Sequence, residues 1–151
     1  MTSQQFEMLL PIAEAWAADQ EYIILQSGVL LTESQIADAR QIGVARPERV
    51  RLLSVAQIPV PTDPALGEAA IELGLISPAT EGLTLGYGIF IRADCWQQRR
   101  LTVHELVHTS QYERLGFATF LRSYLWECVT LGYPDGPMEQ EAIVTAERLC
   151  G

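Results

Sequence analysis

The chain is 151 residues long, about one domain's worth, and its 48% hydrophobic and 19% charged residues with no long polar tract exclude a disordered protein. A formal net charge of -9, with the arginines scattered, excludes the basic patch needed to neutralise phosphates, so neither nucleic acid nor an anionic membrane surface is an expected partner. Three cysteines, Cys95, Cys128 and Cys150, are too few and too widely spaced for a disulfide framework and read as reduced thiols.

The opening "MTSQQFEMLL" lacks the basic start and compact apolar core of a signal peptide, and no apolar run approaches bilayer length, so the expected location is cytoplasmic. Apolar residues at Phe6, Leu9, Leu10, Ala13, Trp16, Ala17, Ile23 and Ile24 recur at helical spacing and stop at Gly28, with Pro11 as a kink or as the true start. "LTESQIADARQIGV" predicts a second helix, capped by Thr32 or Ser34 and ended by Gly43. Val50 to Ile58 reads as a strand closed by Pro59 and Pro61, and Asp63-Pro64 opens a short helix that Gly74 closes. "LTLGYGIFIRADCW" alternates Leu85, Tyr87, Ile89 and Ile91 with Gly86, Gly88, Phe90 and Arg92, which predicts one strand with a partly bare face. Three helices follow, over residues 97 to 115, 117 to 131 and 137 to 149, the first two ended by Gly116 and Gly132. The middle one carries a core stripe of Phe117, Phe120, Leu121, Tyr124, Leu125 and Cys128.

Both histidines of the chain fall in "RRLTVHELVHTSQYERLG". Residues four apart share a helix face, so His104 and His108 can point two imidazoles at one ion, while Glu105 sits about 100° round the axis. Zinc held by two imidazoles keeps a position for water, whose pKa falls toward ~7, and a neighbouring carboxylate can take its proton as it attacks a carbonyl. Glu105 is the candidate base. Leu101, Tyr112 and Leu115 share the histidine face and Val103, Leu106 and Val107 occupy others, leaving a narrow polar strip of Thr102, Thr109 and Glu113. Such a helix is expected to be buried, and a buried histidine pair needs partners.

Two histidines rarely complete a zinc site, and there is no third. On the last helix, with Met138 at 0°, the apolar residues Ala142, Ile143, Ala146 and Leu149 centre near about 70°; Glu139 at about 100° lies inside that sector and Glu141 at about 300° outside it. Glu139 is therefore the expected third ligand and Glu141 the reserve, because a carboxylate aimed into a core requires a positive partner. Glu113 on the polar strip, Glu127 as a solvated residue, and Cys95 or Cys150 are weaker candidates.

His104-Glu105-Leu106-Val107-His108 followed by a glutamate on a later helix resembles the gluzincin group of zinc metallopeptidases, and "EQEA" at 139 to 142 resembles the second motif of its membrane-embedded prenyl-protein peptidase branch. The likeness implies Glu139 as ligand. It departs at Ile143, where an aspartate supporting a zinc-bound histidine is expected, and Asp94 or Asp135 are the possible stand-ins. The likeness covers mainly residues 85 to 145. It implies an α+β, mostly helical, zincin-like single domain over residues 1–151, with a helical lead-in at 1–45, a catalytic core at 46–151, and a small sheet beside the buried motif helix. It further implies that the strand from 85 to 92 is the sheet edge beside the cleft, adding a peptide or protein substrate as a further strand. Gly86, Tyr87 and Gly88 are then substrate-binding, although the two glycines serve equally well as packing gaps under a helix. Tyr112, Tyr133 or Tyr87 would supply a donor to the oxyanion.

The leading expectation is a small Zn2+-dependent metallopeptidase, with His104, His108 and Glu139 on the metal and Glu105 activating water. The competing expectation is a non-catalytic, zinc-containing binding or interaction domain that keeps the metal as a structural clasp or has a degenerate or occluded peptidase site, and a third is a helical interaction module in which the motif is coincidence.

Overall fold

A computed structural model describes residues 1–151. The first helix, α1 (Ser3–Ser27), opens on a capping box in which Thr2 and Gln5 each accept the other's backbone N–H through their side chains. Pro11 lies inside α1 and not at its start, on the exposed side, so the missing N–H costs one ladder bond but no packing. The opposite face buries Phe6, Leu10, Ala13, Ala17 and Ile24. After Gly28 a two-residue strand, β1 (Val29–Leu30), precedes α2 (Glu33–Gln41), which repeats the capping box with Thr32 and Gln35. The predicted strand from 50 to 58 shortens to β2 (Arg51–Val55), because Pro47–Arg49 form a 3-10 turn before it and Ile58, though buried, lies beyond its end. Asp63 caps α3 (Pro64–Glu72) as expected, its carboxylate accepting from Leu66 N.

The stretch read as one strand is a hairpin. β3 (Gly82–Leu85) and β4 (Gly88–Arg92) pair antiparallel around a two-residue turn at Gly86-Tyr87, with Gly86 at φ +67°, the backbone region a primed hairpin turn requires. Alternation failed as a guide because β4 is buried on both faces. Ile89 and Ile91 enter one core with Leu52 and Leu106, and Phe90 enters the other with Ile24 and Tyr112. The sheet order is β1-β2-β4-β3, with β2 and β4 parallel and the outer pairs antiparallel. β3 is therefore an edge strand and β4 is not. α1 and β1 belong to the same sheet and core as the rest, since β1 pairs with β2 and Ile24 packs at the centre.

Three helices complete the chain: α4 (Arg99–Leu115), α5 (Phe117–Leu131) and α6 (Pro137–Cys150). Gly116 and Gly132, both at positive φ, end the first two. α4 is buried almost all round from Thr102 to Tyr112, packed by α2, β3, α5 and α6. Its expected polar strip is hydrogen-bonded inside the protein: Thr109 donates to Gly86 O, and the Glu113 carboxylate accepts from Ala45 N, Arg46 N and the Tyr87 hydroxyl. α6 starts at Gly136, which has no side chain to cap with. Glu127, expected to be solvated, does the capping from α5 by accepting from Met138 N. The architecture is a single α+β domain, mostly helical, with a small mixed sheet; no helix is long and apolar enough to cross a membrane. The three cysteines are free thiols.

Candidate metal centre

The site lies where α4 crosses α6 beside the edge of the sheet. His104 and His108 lie one turn apart on α4, with ring centroids 5.1 Å apart and the planes nearly perpendicular. Glu139, in the first turn of α6, is buried and puts one carboxylate oxygen on each ring: Oε2 lies 2.7 Å from His104 Nε2, and Oε1 lies 2.9 Å from His108 Nε2. One ligand atom from each of the three residues falls within 4.8 Å of the others, and no other trio of histidine, cysteine or acidic side chains does so. Tyr124 of α5 donates to the same Glu139 Oε1 at 2.7 Å, tying a third helix to the cluster. Glu141, the reserve ligand, turns away to Gln111 and Arg114.

Protons decide what can occupy this cluster. The Gln111 amide nitrogen donates to Met138 O and to Glu141 Oε1, which fixes the amide orientation and leaves its oxygen as acceptor, 2.8 Å from His108 Nδ1. His108 Nδ1 must then carry a hydrogen. A neutral ring would face its bare Nε2 lone pair onto the carboxylate oxygen of Glu139, which is repulsive. The 2.9 Å contact is satisfied by a shared hydrogen, which His108 and Glu139 would give up if they held a metal ion instead. Two imidazole nitrogens and one carboxylate are also a donor set that zinc accepts, with a fourth position open. The residues present fit such an ion.

Gln111 is the support that sequence reasoning sought in Asp94 or Asp135. Neither aspartate reaches the cluster: Asp94 pairs with Arg92, and Asp135 is exposed. The signal in the sequence is a glutamine three residues after His108 on the same helix, whose amide oxygen serves where a carboxylate is expected.

Charge and burial act together here. Burial raises the Glu139 carboxyl, but the hydrogen bonds and charges of His104 and His108 outweigh it and hold the group well below the usual carboxylate range. Burial lowers the His104 imidazole, but Glu139 and the nearby Glu105 carboxylate reverse that and raise its pKa. Burial, and then the Glu139 charge, push the Tyr124 and Tyr133 phenols well up, so both remain protonated donors at neutral pH.

Glu105 is 5% exposed and points from α4 toward β3. Its Oε1 accepts from the Thr84 hydroxyl at 2.7 Å, and a Cβ at Gly82 would stand 3.1 Å from its Oε2, so the bare glycine makes room for the carboxylate. Neither Thr84 nor Gly82 was legible as a site residue, because both act across the sheet edge.

Two cavities meet at this point. An inward one of about 130 Å³, walled mostly by apolar side chains from α1, α3 and α5, reaches His104, Glu105, His108 and Glu139. A wider, polar groove of about 410 Å³ opens to solvent over His104 and Glu105. Gly82 and Tyr133 line both. Gly86, Tyr87 and Gly88, expected to bind substrate, line neither: a Cβ on Gly88 would meet Ile24 Cβ at 2.9 Å, and one on Gly86 would meet the Glu21 carboxylate. These glycines are packing gaps under α1. Tyr87 is occupied as well, its hydroxyl held by Glu113 and its ring covered by the Arg49 guanidinium. The edge strand at the site is β3, residues 82 to 85, and not 85 to 92.

The tyrosine candidates also separate. Tyr112 is buried, stacked on Phe120 at 3.6 Å, with its hydroxyl donating to Thr84 O. Tyr133, on the α5–α6 connection, is 43% exposed, and its hydroxyl makes no hydrogen bond within the protein.

Comparison of the chain with protein-family models, with curated proteins and with solved structures finds no match. Fold and site therefore define the class by themselves: an α+β domain whose longest-buried helix carries two histidines against a buried glutamate, a group able to hold a metal ion.

Proposed function

We propose that the chain is a zinc-dependent peptidase of the gluzincin kind, with a zincin-like core, in which His104, His108 and Glu139 hold the ion and Glu105 is the base. The observation that carries the metal reading is the convergence of one donor atom each from His104, His108 and the buried Glu139 within 4.8 Å, with Gln111 engaging His108 Nδ1 so that Nε2 is the atom left for the ion. When bound, zinc supplies Lewis acidity on the open side of its three ligands.

The remaining work falls to the chain. Glu105, steadied by Thr84, takes a proton from a water molecule at the mouth of the groove and passes it to the leaving amine. Tyr133, with an uncommitted hydroxyl at the same place, is the donor to the oxygen on which negative charge develops. Pairing of Leu83 and Leu85 with β4 turns the backbone N–H and C=O of Gly82 and Thr84 away from β4; Thr84 is buried with its C=O taken by Tyr112, so the accessible part of the edge is at Gly82. An extended peptide can pair with what is left, its apolar side chain entering the inward cavity.

The test is zinc content by plasma mass spectrometry, together with cleavage of a peptide library read by mass spectrometry. Wild type carries one zinc per chain and cleaves; Glu105→Gln keeps the zinc and loses cleavage by a factor of about 10³ or more; Glu139→Ala loses the zinc. A Glu105→Gln protein that still cleaves refutes the assignment of the base. A wild type that takes up no zinc refutes the metal reading and makes the cluster a buried ion pair.

A further inference from the structure

The chain contains no lysine, so its ten cationic side chains are all arginines. Arg92, Arg99, Arg114 and Arg122 are committed to ion pairs with Asp94, Asp38, Glu141 and Glu7. Arg51 donates to backbone carbonyls and Arg49 covers the Tyr87 ring. Arg100 makes no ion pair and no hydrogen bond, and it is the one arginine lining either cavity at the metal centre.

We propose that Arg100 is a specificity-determining residue that receives a carboxylate of the substrate. The proposal rests on the peptidase reading above.

Arg100, His104 and His108 follow one another at intervals of four, so they form a single stripe along α4. Its sequence neighbour Arg99 lies about 100° round the helix and is held there by two hydrogen bonds to Asp38. Four residues of helix advance about 6 Å, and the side chain leans toward the helix start, so the guanidinium sits on the order of 10 Å from the metal-binding face. That is about the reach of two to three residues of extended peptide.

The two carboxylates that share the groove are already partnered, Glu81 by the Cys95 thiol and Glu105 by Thr84. The guanidinium is left for a ligand. Because the whole chain is strongly acidic, its long-range field repels anionic substrates. Arg100 therefore selects by position and not by attraction at a distance, favouring peptides whose carboxylate falls at the right spacing from the cleaved bond. That carboxylate is an acidic side chain or a free C-terminus, chemically the same ligand for a bidentate guanidinium.

The experiment uses the zinc-loaded full chain and peptides that differ only in one residue, glutamate or glutamine, placed one to three positions on either side of the cleaved bond. Each is made with a free and an amidated C-terminus. The expected wild-type result is a preference of about tenfold in kcat/KM for a carboxylate at one spacing. Amidation abolishes it only if the C-terminus is the ligand. Arg100→Gln brings the ratio to about one, Arg100→Glu inverts it in favour of the glutamine peptide, and Arg40→Gln, which removes an exposed charge that lines neither cavity, leaves the ratio in place. Cleavage without charge preference, a preference that survives Arg100→Gln, or one lost equally in Arg40→Gln overturns the role of Arg100 and leaves the peptidase reading standing. No cleavage of any peptide by the zinc-loaded wild type overturns the peptidase reading, and this proposal with it.

Discussion

Replacing Gln111 with methionine tests the metal centre through a residue that touches no ligand position. The side chain is 1% exposed, and methionine matches its length and suits a helix interior, so the change removes hydrogen bonds with little change of volume. Three contacts go: the acceptor for His108 Nδ1 and the donors to Met138 O and Glu141. Glu141 retains Arg114, so the principal loss is one buried imidazole N–H without a partner, about 1 to 3 kcal/mol. In a domain of this size that lowers Tm by about 2 to 4 °C per kcal/mol. With its ring free to turn or change tautomer, His108 presents Nε2 to the metal only part of the time, and zinc affinity falls by about 10- to 100-fold. Competition against a chromogenic chelator measures the affinity, and a thermal melt with and without zinc measures the stability. If Gln111→Met binds zinc as wild type does, the tautomer argument is wrong and His108 is not held by this amide.

Gly88→Ala separates packing from substrate binding. The new methyl group drives into Ile24, so stability should drop by about 1 to 3 kcal/mol in denaturant melts while zinc content stays at one per chain; unchanged stability with lost cleavage would return Gly88 to the substrate site. Thr84→Val removes the hydroxyl that steadies Glu105, and kcat should fall by about tenfold with zinc affinity unchanged; weakened zinc binding would mean that Thr84 shapes the metal site itself. Metal-free protein should be most heat-stable between about pH 4.5 and 6.5. Glu139, lowered from its ordinary 4.5, contributes stability above that value and loses it as pH falls through its folded pKa; His104, raised from 6.5, contributes below that value and loses it as pH rises through its folded pKa. Metal binding needs deprotonated rings, so added zinc should move the optimum upward, and melts across pH 4 to 9 with and without zinc would expose a metal-free optimum above 7 as the contrary result.

What the sequence made legible was whatever a single helix can express. The spacing of His104 and His108, the flanking position of Glu105 and the inward sector of Glu139 all follow from 100° per residue, and the structure brings each histidine within hydrogen-bonding distance of Glu139. Relations between elements were not legible. Gly86 looked like a bare strand face because alternation runs on through a two-residue turn, whereas its positive φ and the Glu21 carboxylate above it are tertiary facts. Glu127 reads as a solvated helix residue until α6 is docked with its first N–H groups in need of an acceptor. Tyr124 read as part of the α5 core stripe, and only the approach of Glu139 gives its hydroxyl a role.

The unpaired outer edge of β3 has a consequence for how copies of the protein behave together. A bare strand edge is a template on which any chain can extend the sheet, and assemblies grow when both ends of a sheet offer one. Here the two ends are four and two residues long, and the longer one begins at a glycine beside Glu81 and Glu105. Edges this short offer too few backbone pairs to hold a second folded copy, and the acidic flank of β3 repels one that carries the same charge. Such an edge leaves no path to fibres.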